Sequence, residues 1–508
     1  MNKALFPIQY ANEFRTTAFL KQSLWCNKRR LPAWNILIFF CIVSSRQRAI
    51  RIEQANTFLP AKHANHAKFF RVFRGLKIKR VAVELDNEYP IMTATSIHNH
   101  ASGAERPLRW LFLDLNAYFA SIEQELRPEL RNQPVAVVPV MTDKTCCIAA
   151  SYEAKKFGVK TGTLVAEAKQ LCPRIQLVEA RHRVYVAYHH KIVQAIGNCL
   201  PITAVLSIDE MACRLMGSEQ TVARAVKIAE QMKAALREHV GDTLRCSIGL
   251  APNRFLAKVA TDMQKPDGLV VIPPADLPRI LYTLELQDLP GIGARMLKRL
   301  HKASIYSIEQ LCALSKIEMI KIWNGIIGER FWHWLRGEDL PEIATQRRTV
   351  GHSHVLPPEL RTKEGAHSVA KKLVHKAATR LRKMNYWAGG FSVFVRFIGE
   401  GSWEDKLGMI ECQDTLTMLE ALEQLWQNCP AGKPLAVGIT LFELVPQHLH
   451  NLSFFDNPKR TQLAQAMDAI NAKYGLDAVY FGGIHDVKSS APTRIAFTSI
   501  PELDTLEE

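Results

Sequence analysis

The sequence has no long hydrophobic run and no paired cysteine motif. Its longest apolar stretch, residues 31–43, is shorter than the roughly 18 to 20 residues that a helix needs to span a bilayer. That stretch also begins far from the N-terminus, unlike the core of a signal peptide. The 11 cysteines are scattered without the spacing of a zinc module or a disulfide framework. These absences predict a cytoplasmic protein with no membrane partner.

The positive charge of the chain is concentrated at one end. The formal net charge is +16, but residues 1–91 hold 16 Lys and Arg against 5 Asp and Glu, which leaves only +5 for the rest. Net charge is therefore weak evidence for nucleic-acid binding, and local basic clusters must support that interpretation. The length of 508 residues suggests three or more domains.

Residues 1–107 show no helical or strand periodicity and are predicted to be an N-terminal extension of unknown role. One hypothesis is that residues 1–91 are not translated in the cell and that Met92 is the natural start. The alternative is a basic arm that touches DNA or a partner. Tryptic peptides from residues 1–80 of the native protein would refute the first hypothesis.

Three acidic residues follow or interrupt apolar runs. Asp114 lies inside the run 110–115, and Asp209 and Glu210 follow the run 205–208. A buried charge is costly unless it is paired or bound to a cation, so this pattern predicts a divalent metal site, with magnesium or manganese favoured by hard oxygen ligands. For either segment alone, an acid that caps the next helix is an equally good interpretation.

The sequences around these acids resemble the motifs of Y-family translesion DNA polymerases. Residues 114–123 and 207–210 are similar to the two metal motifs of that family, and further blocks follow in the family's order. These blocks are residues 151–159, 247–258, 262–268 and 289–293. The resemblance is strong over residues 108–340 and weaker, but continuous in pattern, to residue 447.

The resemblance implies a multidomain α/β fold shaped like a right hand. Residues 108–117 and 183–272 would form the palm, 118–182 the fingers, and 273–340 a helical thumb. Gly291 and Gly293 would form a helix-hairpin-helix turn whose backbone N–H groups approach a DNA phosphate. Residues 348–447 would form a little-finger domain, and residues 448–508 a C-terminal tail.

The resemblance also implies the chemistry of the site. Asp114, Asp209, Glu210 and the Leu115 carbonyl would hold two Mg²⁺ ions, with Mn²⁺ possible, for transfer of dNTPs to the primer of a primer-template DNA. Phe119 would exclude the ribose 2′-hydroxyl. The incoming triphosphate would be bound by three further residues, Tyr152, Lys155 and Lys265, of which Lys155 replaces the more usual Arg.

Two further regions are expected to contact partners. A helix with an apolar stripe at Val369 and Leu373 carries many Lys and Arg on its other faces, which either grip the duplex or are simply solvated. Phosphate contacts are expected from Arg347, Arg348 and Arg396.

Residues 451–455 resemble a short sliding-clamp-binding peptide. Its contact residues would be Leu452, Phe454 and Phe455. The alternative is a hydrophobic plug that packs the tail onto the last domain.

The sequence therefore predicts a monomeric, error-prone DNA polymerase without proofreading. An inactive polymerase-like adaptor that holds DNA, the clamp and a second polymerase is the competing hypothesis. The intact set of Asp114, Asp209 and Glu210 argues against the adaptor. A need for an accessory subunit stays open.

Overall fold

The computed structural model describes residues 107–343, 346–399, 401–451, 457–496, 500–503 and 506. The predicted N-terminal extension up to residue 106 and the predicted clamp-binding residues Leu452, Phe454 and Phe455 lie outside these ranges. Among the helices within them, none is long and apolar enough to cross a membrane.

The described chain alternates strands and helices. In chain order, the strands are β1 Trp110–Leu115, β2 Val135–Val138, β3 Ala149–Ala150, β4 Gln176–Glu179, β5 Ile202–Val205, β6 Glu210–Arg214, β7 Cys246–Ala251, β8 Leu269–Val271, β9 Thr349–Val355, β10 Tyr386–Phe397, β11 Ser402–Cys412 and β12 Pro434–Pro446. The α-helices are α1 Tyr118–Leu126, α2 Tyr152–Lys155, α3 Val165–Leu171, α4 His182–Gly197, α5 Val222–His239, α6 Arg254–Met263, α7 Ala294–Lys302, α8 Ile308–Ala313, α9 Lys316–Trp323, α10 Ile326–Trp334, α11 Lys363–Lys383, α12 Thr415–Trp426 and α13 Pro458–Tyr474. Short 3-10 helices lie at Pro128–Leu130, Gly217–Gln220, Pro274–Asp276, Arg279–Thr283, Leu286–Asp288, Pro358–Leu360, Gln447–Leu449 and Gly482–Val487.

Strand β1 lies at the centre of a five-stranded sheet with the order β5-β6-β1-β7-β8. It pairs antiparallel with β6 and β7. Its side chains alternate between two buried faces: Leu111 and Leu113 join the core with α4 and α5, whereas Trp110 and Phe112 join the core with α6. Because both faces of the sheet are covered, the strand is apolar at successive positions rather than at every second one.

A smaller sheet follows between β1 and β5 of the chain, with the order β3-β2-β4. Strand β2 pairs antiparallel with β3 and parallel with β4. Its core is separate from the first sheet and contains Ala136, Val138, Ala154 and Val165, among others. This unit presents α2 and its first residue, Tyr152.

Residues 273–340 contain only helices and turns in the described structure. Ser307 caps α8, and Ser315 forms a reciprocal capping box with Glu318 at the start of α9. Gly291 has a φ of 92°, a left-handed conformation that favours glycine. The turn that it forms leads directly into α7.

The fourth unit is an antiparallel sheet with the order β11-β10-β12-β9, covered on one face by α11 and α12. Phe391 and Val393 of β10 are both fully buried in this core. Val369 and Leu373 of α11 are buried in the same core, as their helical spacing predicts.

Residues 457–491 cover part of the basic side of α11, whereas Lys383 on the same helix is exposed. For the covered residues, neither a solvated face nor a surface for the duplex is correct, and for the others both interpretations stay predictions. Lys372 is 2% exposed and pairs with Asp477, and its ammonium lies 2.8 Å from the Lys488 carbonyl oxygen. Arg382 binds both carboxylate oxygens of Asp468, at 2.6 and 2.8 Å. These partners lie far from α11 in the sequence. Helical periodicity within α11 therefore could not predict the contacts of Lys372 and Arg382.

The C-terminal segment connects two cores. Ile484 and Val487 are buried in the core of the four-stranded unit. Further on, Ile495 and Ile500 pack against the core of the five-stranded sheet, where Leu506 is buried. The chain therefore spans from one α/β unit to the other after its last strand.

Candidate active site

Antiparallel pairing brings two acidic strand ends together. Asp114, near the end of β1, lies opposite Glu210, the first residue of β6. The Leu115 N–H donates to the carbonyl oxygen of Asp209 at 2.9 Å, which fixes the second acidic segment beside the first. Three carboxylates thus meet at one end of the neighbouring strands β1 and β6, although Asp114 is about a hundred residues from the other two in sequence.

The carboxylates are held in unlike environments. Asp114 is 6% exposed. Burial raises the pKa of Asp209, the Ser207 hydroxyl donating at 2.5 Å lowers it, and the charges on Asp114 and Glu210 raise it further. The bend that carries Asp209 is held by His189, whose Nδ1–H donates to the Ile208 carbonyl oxygen at 2.8 Å. A positive charge placed among these acids would relieve their repulsion.

Two lysines lie on these acids. The Lys258 ammonium contacts Asp114, lies 2.8 Å from Glu210 and 3.4 Å from Asp262. The Lys265 ammonium lies 3.0 Å from Asp114 and 2.8 Å from Asp262. Burial alone would lower the pKa of Lys258, but the three carboxylates together raise it above its ordinary value. Lys265 was expected here; sequence reasoning missed Lys258.

Asn116 fastens the loop that carries Lys265. It is 3% exposed, and its side-chain oxygen accepts the Asp267 N–H at 2.7 Å. Its amide nitrogen donates to the Ser247 hydroxyl at 3.2 Å. An amide can donate and accept at once, whereas a carboxylate only accepts. Asn116 therefore links the end of β1 to β7 and to the loop that carries Lys265.

The predicted triphosphate-binding residues also face the acids. The Ser151 hydroxyl caps α2 by accepting from the Ala154 N–H, which sets Tyr152 and Lys155 on one turn. The Lys155 ammonium lies 4.2 Å from the centre of the Tyr152 ring. Burial lowers the pKa of Lys155, the charge on Lys265 lowers it further, and Asp114 opposes the change. Tyr152 and Lys155 therefore lie close enough to Lys265 and Asp114 to interact with their charges.

Phe119 stands on a rigid support that sequence reasoning missed. Its ring stacks on Tyr185 with centroids 4.4 Å apart. The Tyr185 hydroxyl donates to Glu123 at 2.8 Å, and Arg181 holds the same carboxylate at 3.0 and 2.5 Å. Ala117 has a φ of 48°, an uncommon conformation for a residue with a side chain, and it turns the chain from β1 into α1. The Phe119 ring is thus held in place, and Phe119 lies shortly after Asp114 in the sequence.

The other predicted site residues lie on separate elements. Gly291 and Gly293 are in the helical unit, where Gly293 is the N-cap of α7 with an ordinary φ of −83°. A Cβ placed on Gly293 would meet nothing within 4 Å, so the fold itself does not require glycine there. Arg347 and Arg348, before β9, and Arg396, in β10, are exposed. None of these five residues belongs to the acidic cluster.

The acidic cluster has the donor chemistry of a divalent metal site, but not yet its geometry. Within the described ranges, no three His, Cys, Asp or Glu side chains are arranged to hold a metal ion. The Lys258 ammonium contacts Asp114 and Glu210 and so uses oxygens that a divalent cation would need. Hard carboxylate oxygens suit Mg²⁺ or Mn²⁺.

Two domain models match the chain. The model of the impB/mucB/samB family matches residues 113–262, and the model of that family's C-terminal domain matches residues 347–454. Together they include the acidic cluster and the four-stranded sheet.

Curated relatives and a solved structure are similar over most of their lengths. A DNA polymerase IV of Moorella thermoacetica is 32% identical over 376 residues, which cover 72% of this chain and 93% of the relative. A DNA polymerase IV of Bacteroides fragilis is 30% identical, with 69% of this chain and 92% of the relative covered. A Y-family DNA polymerase chimera matches with a TM-score of 0.57 at 23% identity, covering 66% of this chain and 99% of its own. This last match confirms the predicted fold class.

Proposed function

Since this chain belongs to the impB/mucB/samB family of Y-family translesion DNA polymerases, and is a DNA-directed DNA polymerase, we propose that Asp114, Asp209 and Glu210 carry its reaction. The substrates are a primer-template DNA and dNTPs. The observation that supports this assignment is the pairing of Asp114 with Glu210 across adjacent strands, with Asp209 held alongside.

The three carboxylates and the Leu115 carbonyl would hold two Mg²⁺ ions, or Mn²⁺ in their place. Bound there, the ions would lower the pKa of the primer 3′-hydroxyl and neutralise charge on the leaving pyrophosphate. The protein's own part is to hold the acids rigidly. Asp209 is fixed by Ser207, and Asp114 by its place in a six-residue buried strand.

Tyr152, Lys155 and Lys265 bind the incoming triphosphate in this proposal. A hydroxyl and two ammonium groups can each contact phosphate oxygens, and Tyr152 and Lys155 both interact electrostatically with Lys265 and Asp114. Lys155 supplies a point charge rather than the two-pronged contact of an arginine. A weaker nucleotide affinity with unchanged chemistry is the expected consequence.

Phe119 is proposed as the group that excludes ribonucleotides. The support is geometric: a ring stacked on a fully buried Tyr185 cannot easily turn away from a ribose 2′-hydroxyl. Burial of Tyr185 raises its pKa above the ordinary value, so the hydroxyl stays protonated and keeps donating to Glu123.

DNA contacts are proposed for two surfaces. The backbone N–H groups at the start of α7, after Gly291 and Gly293, can bind a phosphate, and the helix dipole favours this. Arg347, Arg348 and Arg396 are exposed on or beside the four-stranded sheet and can bind other phosphates. Such contacts position a duplex without reading its sequence.

Primer extension on an undamaged template tests the catalytic assignment. We expect the parent to extend the primer with Mg²⁺ and dNTPs, and an Asp209→Ala, Glu210→Ala double variant to bind the same DNA without extending it. Extension by both proteins would overturn the assignment. Binding without extension by both would instead favour the adaptor, or a polymerase that needs an accessory subunit.

We also propose that residues 451–455 bind a sliding clamp. The proposal depends on the sequence of these residues, Leu452, Phe454 and Phe455 among them. Their deletion should lower processivity in the presence of a clamp and leave clamp-free synthesis intact. An equal loss of both activities would contradict it. Error-prone synthesis without proofreading is proposed as well, and retention of a mismatched primer end would support it.

A further inference from the structure

Helix α6 is held unusually close to strand β7. A Cβ on Gly249 would overlap the backbone oxygen of Ala257 and crowd Ala260, so only glycine allows this approach. The Asn253 side chain caps the helix by accepting from the Leu256 N–H. The next turn places Lys258 above β1, with its ammonium 5.6 Å from the centre of the Phe112 ring.

This placement gives Lys258 a specific set of partners. Its ammonium contacts Asp114 and Glu210, two of the three proposed metal ligands, and its side chain is 20% exposed. A charge so enclosed interacts with its neighbours through a lower effective dielectric than in water. The same oxygens cannot serve the ammonium and a divalent cation at full strength.

Asp262 offers the ammonium another position. It lies one helical turn from Lys258, at 3.4 Å between the charged atoms, and its side chain is 35% exposed. Lys265 also contacts Asp262, at 2.8 Å. A small rotation of the Lys258 side chain therefore keeps it paired while freeing Asp114 and Glu210.

We propose that Lys258 is a built-in counter-ion of the catalytic carboxylates, which competes with divalent cations for Asp114 and Glu210 and moves onto Asp262 when a cation binds. Lys258 is thus a positioning residue that sets the metal affinity of the site. The proposal rests on the metal-binding role proposed above for Asp114, Asp209 and Glu210.

Binding of Mn²⁺ to the full-length protein, without DNA or nucleotide, tests this directly. The loss of the electron paramagnetic resonance signal of free Mn²⁺ reports binding and needs no activity. Lys258→Gln removes the charge and keeps most of the side chain, so we expect it to bind Mn²⁺ roughly tenfold more tightly or better. Lys258→Arg keeps the charge and should bind as the parent does. Lys227→Gln, on the exposed side of α5, makes the same change of net charge and should also match the parent.

Asp262→Asn tests the second position. It should weaken Mn²⁺ binding in the parent, because the ammonium has no other acceptor of equal charge. In the Lys258→Gln background, the same substitution should have a smaller effect. An equal loss in both backgrounds would overturn the proposed movement to Asp262.

Unchanged or weaker Mn²⁺ binding by Lys258→Gln, with a native circular dichroism spectrum, would overturn the counter-ion role. Should that variant fail to fold, a tenfold weaker affinity of Lys258→Arg would overturn it equally, since charge is retained. The Asp209→Ala, Glu210→Ala variant separates this proposal from the metal site itself. If it binds Mn²⁺ as the parent does, the proposed metal site fails; if it does not bind, only the role of Lys258 is in question.

Discussion

The ion pair between Lys372 and Asp477 should anchor the C-terminal segment to the little finger, the unit around the four-stranded sheet. Lys372 is 2% exposed, and among the described residues its ammonium contacts Asp477 and the carbonyl oxygen of Lys488. Asp477→Asn removes the opposite charge and leaves the buried ammonium with neutral partners only. Such a change is strongly unfavourable because the charge cannot regain its hydration.

The expected cost is about 3 kcal/mol, the lower end of the range for breaking a buried pair, since the Asp477 side chain is 23% exposed. The chain offers a matched control. Glu420 and Arg460 also join the C-terminal segment to the little finger, at 2.7 Å, but their side chains are 63% and 32% exposed. Glu420→Gln makes the same change of charge and should cost less than about 1 kcal/mol.

Hydrogen exchange measured by mass spectrometry resolves the two variants region by region, which suits a chain of several domains better than a single melting curve. In Asp477→Asn, amides of α11 and α13 should exchange roughly a hundredfold faster, and those of β1 should be unchanged. Glu420→Gln should change exchange by less than about fivefold. Equal effects of the two substitutions would refute the reasoning from burial.

Three further outcomes are expected. Phe119→Ala should incorporate ribonucleotides more readily in primer extension, because the ring that stacks on Tyr185 is removed. A variant that still excludes ribonucleotides would contradict the role proposed for Phe119. Gly291→Ala should lower the melting temperature, since its φ of 92° costs a side chain about 1–2 kcal/mol, while Gly293→Ala should melt like the parent yet bind DNA more weakly by fluorescence anisotropy. Equal melting temperatures for the two variants would count against this. Burial lowers the pKa of His375 in the folded protein to about 4. Between pH 7 and 5 the imidazole therefore takes up a proton mainly in the unfolded chain, which lowers the free energy of unfolding by about 2 kcal/mol. His375→Gln should make the free energy of unfolding, measured by urea titration, less dependent on pH over this range.

The sequence allowed prediction of those site residues whose placement depends on local structure. Asp114 lies near the end of apolar strand β1 and Glu210 begins β6, so antiparallel pairing of these two strands sets the acids opposite each other. Lys258 could not be placed in this way, because its position depends on how closely α6 approaches Gly249. That approach is a property of packing, which leaves only a lone glycine as its signal in the sequence.

The same limit explains the error over α11. Helical periodicity identified its apolar stripe, which depends on spacing within the helix alone. The fate of Lys372 and Arg382 depends on Asp477 and Asp468, which lie beyond the residues matched by the family models. Lys372 and Arg382 were therefore predicted to be solvated or to contact DNA, whereas they are bound by the protein's own C-terminal segment.

The charges around the site bear on the order in which its ligands bind. Asp114, Glu210 and Asp262 contact the ammonium groups of Lys258 and Lys265, and the charges on Asp114 and Glu210 act on Asp209 beside them, so two positive charges offset part of the four negative ones. In the proposed function, a cation alone would compete with an ammonium for Asp114, and a triphosphate alone would meet the repulsion of the remaining acids. With Asp114 bound to a cation, Lys265 would be free to contact the phosphates. On the proposed function, metal and nucleotide should therefore bind with positive cooperativity, and each should raise the affinity of the other by the same factor.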